Sequence, residues 1–183
     1  GFLRPEIQYH TLEVTRAEHK TVLLEAVRLL PKPLIVYVSY PKDASVIKRD
    51  IINMNFSRVG LFTGETTDQQ KEYQLKCWNT NQLDIMVATS AFGMGVNKTD
   101  VRSVLHADMP PNINSFYQQV GRGGRDGRSC QSLVVWHSGQ IPGARKLNNK
   151  KLISPELGRE RWEVMWRLGR DGLNDYRLVD VKS

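Results

Sequence analysis

The sequence predicts an α/β fold: a mostly parallel central sheet between layers of helices, with a small helical extension at its C-terminal end. Three observations carry that expectation. Leu34-Ile35-Val36-Tyr37-Val38 and Ile85-Met86-Val87-Ala88-Thr89 are short, uniformly apolar runs. Such runs suit parallel strands buried on both faces. Amphipathic segments of about 10–15 residues alternate with them, as βαβ units require. The chain has 183 residues, 40% of them hydrophobic, enough for one well-cored domain and a small appendage.

The elements follow in order. Ile7 to Val14 alternates in part and reads as a strand. Thr15-Arg16-Ala17-Glu18 has the form of a capping box, in which a hydroxyl and a carboxylate satisfy free amides at a helix start. The helix it opens carries Val22, Leu23, Ala26, Val27 and Leu30 on one face and ends before Pro31. The strand Leu34–Val38 comes next, then a helix from Pro41 to Met54 and a strand over Val59–Phe62. A helix from Thr67 to Asn79 leads to the strand Ile85–Thr89. Val101–Leu105 reads as a strand, Ile113–Val120 as a short helix and Ser132–Trp136 as the last strand of the domain. The main domain is therefore expected over residues 1–137.

Residues 138–183 are expected to form a linker and a small helical extension. Ser138 to Lys151 is rich in Gly, Pro, Asn and Lys and reads as a loop, with Arg145, Lys146, Lys150 and Lys151 as solvated charges. Ser154-Pro155 suits a helix start, and Trp162, Met165 and Trp166 then share one face. Tyr176 to Val181 reads as one more strand. The chain begins at Gly1 without methionine and reads as part of a longer protein.

A net charge of +7 favours an anionic partner such as nucleic acid. Cys77 and Cys130 belong to no CxxC pair and have no histidine at ligand spacing. A structural zinc needs about four ligands, so none is expected here. Scattered thiols suit a reducing compartment, so the expected location is cytoplasmic, or nuclear in a eukaryote. No apolar run approaches the roughly 20 residues of a membrane span, and no signal peptide is evident.

The stretch from Thr89 to Gly127 carries the chemistry. In Gln118-Gln119-Val120-Gly121-Arg122-Gly123-Gly124-Arg125-Asp126-Gly127, two arginines three residues apart are surrounded by glycines. Arginine stays charged when buried and matches phosphate oxygens bidentately. The pair therefore suits charge developing on a transferred phosphoryl group, while a plainer reading is an RG-rich loop on nucleic-acid backbone. Upstream, Gly93 and Gly95 permit close backbone approach to a ligand, and Thr89 and Asn97 offer short polar groups at a strand's exit. Gly93-x-Gly95 lacks the third glycine of a dinucleotide fingerprint.

These segments resemble motifs of RecQ-type helicases. Thr89 to Lys98 is similar to motif V in its AFGMG-x-NK form, and Phe116 to Gly127 to motif VI. Val101–His106, Pro110-x-Asn112-Ile113 and the opening Phe2–Ile7 also match, so the resemblance covers residues 2–137. It implies the second RecA-like domain of a superfamily 2 DNA helicase, working by ATP-driven strand separation. Arg125, the preferred finger, and Arg122 would face the γ-phosphate, with Gln118 linking that network to the domain interface. Gly95, Asn97 and Gly121 would lie near the nucleotide. Thr89, Ser39, Lys42, Thr63 and Gly64 would contact DNA. ATP and Mg2+ would be held mainly by an N-terminal RecA-like domain of the same chain.

The sequence departs from the family in four places. Ser39-Tyr40-Pro41-Lys42 stands where a Ser-Arg run is usual, making Lys42 a substitute for the arginine. Leu61-Phe62-Thr63-Gly64 lacks the family's histidine, Gly123 replaces an alanine as a harmless change, and no four-cysteine zinc module follows residue 137. Neither GxxxxGK[ST] nor a DExH motif is present, so the chain alone is expected to lack ATPase activity. Phe92-Gly93-Met94 argues against an RNA helicase of the DEAD-box kind. The rival reading from another class is a non-catalytic nucleic-acid-binding module that retains the fold.

Overall fold

Residues 4–93, 96–151 and 159 are described by the computed structural model. Its centre is a six-stranded sheet in the order β1-β6-β5-β2-β4-β3. The strands are β1 (Ile7–Glu13), β2 (Leu34–Tyr37), β3 (Val59–Phe62), β4 (Ile85–Ala88), β5 (Ser103–His106) and β6 (Cys130–Trp136). Every neighbouring pair runs parallel. All four residues of β2, β4 and β5 are buried, which is why those segments lack polar alternation.

Side chains alternate across the sheet and divide the core in two. Leu34, Val36, Ile85, Val87 and Leu105 face α1 (His19–Leu29) and α2 (Pro41–Asn53), packing with Leu23, Val27, Ala44 and Ile51. Ile35, Tyr37, Met86, Ala88 and Val104 belong to the second cluster, with Trp78 of α3 (Asp68–Asn79) and Val120 of α4 (Ile113–Val120). This is the three-layer α/β sandwich that the sequence implied.

Helix starts follow the local chemistry. Thr15 Oγ1 donates to Glu18 Oε2 at 2.6 Å and accepts from the Glu18 amide at 3.3 Å. The box sits on a turn that runs directly into α1, a boundary difference usual at helix ends. Thr67 and Gln70 form a complete capping box for α3.

One connection is unusual. β4 and β5 flank β2, so residues 89–102 must cross the central strand, and they do so with no helix among the described residues. Parallel crossovers generally use a helix. Here Phe92, Val96 and Val101 fill that role by burying their side chains in the second cluster.

The segment after β6 differs from expectation. Ser138–Gln140 form a 3-10 turn and Ile141–Lys151 form α5, where composition suggested a loop. Pro142 falls in the first turn, where a missing amide donor costs nothing. The first compact unit runs to Arg145 and a second comprises Lys146–Ser183. The helix expected after Ser154, with Trp162, Met165 and Trp166, and the strand at Tyr176–Val181 lie outside the described residues, as does Phe2. No helix among the described residues is long and apolar enough to cross a membrane.

Candidate functional site

The crossover and the glycine-rich loop meet through the two arginines. Arg122 Nη1 donates to Gly93 O at 2.7 Å, and Arg125 Nη1 donates to Val96 O at 3.1 Å. Each bond spans 29 residues of sequence. A Cβ added at Gly93 would stand 2.9 Å from Arg122 Nη2. The close approach that Gly93 permits is thus to Arg122. Gly95 lies outside the described residues.

Arg122 is partly buried, whereas Arg125 is exposed. Arg125 Nε also donates to Gly121 O at 3.2 Å, folding its side chain along its own loop. Partial desolvation, then the positive charges of Arg122 and Arg4, push Arg125 below the ordinary guanidinium pKa. A guanidinium still remains protonated. Neighbouring guanidinium groups suit an anion with phosphate-like oxygens.

Beneath the loops lies a buried layer whose hydrogen bonds are not marked in the sequence. Tyr37 donates its hydroxyl to Phe92 O at 3.1 Å, fixing the start of the crossover to the end of β2. Burial raises the Tyr37 pKa, against the opposing pull of the Arg122 charge. Its ring stacks on His106, with centroids 5.6 Å apart. His106 donates through Nε2 to Gln119 Oε1 at 2.9 Å, setting the rotation of α4. Burial lowers the His106 pKa to about 4, so the ring is neutral near neutral pH. The only sequence signals were a tyrosine in an aliphatic strand and a histidine at the end of another.

The remaining candidates are placed as follows. Gln118 is exposed on α4, Gly121 caps its C-terminal end, and Asn97 is exposed beside Val96. Thr63 and Thr89 are buried at 4% and 6% exposure. The Thr89 amide donates to Phe62 O at 3.1 Å, and the Thr89 carbonyl accepts from Phe92 N at 3.0 Å. Thr63 Oγ1 accepts from the Glu65 amide at 3.2 Å, turning the chain so that Gly64 is exposed. The Ser39 amide donates to Asp108 Oδ2 at 2.8 Å, while Lys42 is exposed in the first turn of α2. Asp108 also accepts from Gln140 Nε2 at 2.9 Å. That tie between three chain segments is likewise unmarked in the sequence.

Two further ties hold the glycine-rich loop. Arg102 pairs with Asp126 and donates to Ser129 O at 3.2 Å. Gly123 is packed so tightly that a Cβ there would lie 2.2 Å from Cys130 Sγ. A methyl at position 123 would require the Cys130 sulfur to move, since that sulfur fills the space beside the glycine. Among the described residues, no group of three or more His, Cys, Asp or Glu could hold a metal ion. The donors gathered at this site are guanidinium groups, which suit phosphate oxygens.

Comparison with known proteins places the fold in a family. The helicase conserved C-terminal domain family matches residues 19–127. ATP-dependent DNA helicase RecQ of Bacillus subtilis is 38% identical over 102 residues, covering 56% of this chain and 17% of the relative. RecQ of Pasteurella multocida is 29% identical over 156 residues, covering 85% and 24%. The pre-mRNA-splicing ATP-dependent RNA helicase PRP28 of Phaeosphaeria nodorum is 38% identical over 104 residues, covering 57% and 14%. The chain thus spans no more than 24% of these relatives. The crystal structure of the yeast DEAD-box splicing factor Prp28 matches the fold with a TM-score of 0.68 at 21% identity, covering 81% of this chain and 34% of that one. A parallel sheet with arginine-tied loops, matched by the family over more than half its length, makes this chain a member of the helicase conserved C-terminal domain family.

Proposed function

We propose that this chain is the second motor domain of a RecQ-type, ATP-dependent DNA helicase. It supplies the arginines that face the γ-phosphate and part of the track for the DNA backbone. The observation that carries this reading is the pairing of Arg122 with Gly93 and of Arg125 with Val96. The crossover that begins at Thr89, beside Thr63 at the carboxyl end of β4, is tied at Gly93 and Val96 to the two groups suited to a phosphate. A shift of either arginine is thereby communicated along one short, packed segment.

Within this reading each residue has a task. Arg125 leaves its carbonyl partners to neutralise charge on the transferred phosphoryl group. Arg122, more buried and fixed to Gly93, holds the loop in register. Gln118, Gly121, Asn97 and Gly95 line the nucleotide side. Thr89, Ser39, Lys42, Thr63 and Gly64 form the DNA side, with Lys42 and Gly64 the exposed members. ATP and Mg2+ are held mainly by an N-terminal RecA-like domain, which supplies the phosphate loop that this chain lacks.

DNA is favoured over RNA by the Phe92-Gly93-Met94 sequence in the crossover. The deciding experiment is ATP hydrolysis by the full-length protein, stimulated by single-stranded DNA or RNA, wild type beside Arg125→Ala. The expected loss of turnover is on the order of 10³–10⁵, with ATP binding kept and DNA the better activator. An inactive wild type that still binds DNA in a salt-sensitive way would replace this reading with a binding module that retains the fold.

A further inference from the structure

The phosphate-facing arginines have a third arginine behind them. Arg4 lies on the turn that leads into β1, and its guanidinium reaches across to the glycine-rich loop. Nη1 donates to Gly121 O at 3.3 Å and to Gly123 O at 3.0 Å, while Nη2 donates to Gly124 O at 2.7 Å. The fork is held in plane by Glu6, whose Oε1 accepts from Nε at 3.1 Å and from Nη2 at 2.7 Å. The turn is itself fixed at both ends. The Ile7 amide donates to Arg4 O at 3.2 Å, and the Cys130 amide to Glu6 O at 2.9 Å. One side chain therefore satisfies three carbonyls of the loop that carries Arg122 and Arg125.

One of those carbonyls is shared. Gly121 O accepts from both Arg4 Nη1 and Arg125 Nε, at 3.3 and 3.2 Å. A carbonyl oxygen has two lone pairs and accommodates two donors. Were Arg125 its sole side-chain partner, moving Arg125 toward an anion would take that donor away from Gly121 O. With Arg4 in place the carbonyl keeps a donor, so Arg125 can swing without disordering its loop. The positive charge of Arg4 also disfavours the resting position of Arg125, as does that of Arg122.

We propose that Arg4, oriented by Glu6, is a positioning residue for ATP hydrolysis: it braces the 121–124 loop so that Arg125 can move between its resting carbonyls and a phosphate. The inference rests on the reading of Arg125 as the phosphate-facing group. Arg4 acts through that residue and touches no substrate. The chain leading into β1 thereby becomes part of the hydrolytic machinery, since displacing the turn at Arg4–Ile7 would displace the loop.

The test is DNA-stimulated ATP hydrolysis by the full-length protein, with wild type, Arg4→Ala, Arg125→Lys and the double variant compared. Arg4→Ala is expected to lower kcat about tenfold or more, with KM for ATP and affinity for single-stranded DNA within about twofold of wild type. On the Arg125→Lys background the same substitution should cost less than about threefold, because residues acting as one unit are not additive. An unchanged kcat, a loss confined to KM, or an equal fold-loss on both backgrounds overturns the proposal. Should Arg4→Ala fold poorly, Glu6→Gln serves instead: it frees the fork and is expected to lower kcat by roughly two- to fivefold. Wild-type kcat in a folded Glu6→Gln would be equally fatal. If Arg125→Lys is itself as fast as wild type, the underlying reading fails with it; if Arg125→Lys is slow and Arg4→Ala is silent, only the role of Arg4 fails.

Discussion

The pairing of Gly123 with Cys130 turns one missing methyl into a measurable constraint. Because a Cβ would stand 2.2 Å from the sulfur, Gly123→Ala should destabilise the chain by about 1–3 kcal/mol through overpacking. Urea unfolding measures this, and Cys130→Ala in the same chain should recover most of the loss. Simple additivity of the two substitutions would show that the contact is not the cause. His106 offers a second residue-scale outcome. Burial lowers its pKa from 6.5 to about 4, so between those values the unfolded chain takes up a proton that the folded chain refuses. Its contribution is fully present above pH 6.5, falls as pH drops toward 4, and amounts to roughly 3 kcal/mol. A His106→Asn chain should show a flatter stability profile across that window; parallel profiles would refute the assignment. The arginine pair was legible in the sequence because both members sit in one short, compositionally unusual run. Arg4 and Tyr37 were not, because their partners lie about 120 and 55 residues away, and a lone side chain carries no mark of so distant a contact.

Among the elements, strands were the easiest to read. Burial on both faces removes polar residues from them, and β3 and the helix α4 emerge with the same ends that the pattern gave. The segment 138–151 was misread for a definite reason: Pro142 and Gly143 are loop signals only when they fall inside an element, and here they occupy its first turn. The capping box of α3 was overlooked, although Thr67 and Gln70 have the required spacing. Thr67→Ala should cost about 1 kcal/mol in thermal or urea unfolding, and Thr67→Ser should cost far less. That helix matters beyond itself. Its Trp78 is fully buried and meets Phe92 edge-on at a centroid distance of 6.2 Å, so α3 supports the crossover where a helix would otherwise lie.

For the molecule as a whole, the reading makes this chain an incomplete motor. The purified chain should hydrolyse no ATP above background, with or without DNA, because nothing in its sequence cradles the β- and γ-phosphates. Turnover by this chain that survives Arg125→Ala would sink that expectation. The net charge of +7 should make any DNA binding weaken steeply with salt. The sheet order has a consequence for how the protein is made. β1 is made before the other strands of this sheet, yet at the sheet's edge it hydrogen-bonds to the last of them, in register from Ile7 with Cys130 to Glu13 with Trp136. A ribosome adding about 5–20 residues per second leaves β1 waiting on the order of ten seconds for its neighbour. Pairing of such distant segments is intrinsically slow. The brace between Arg4 and the arginine loop therefore closes only after residues 121–124 have been made, and β1 has no strand partner until β6 follows.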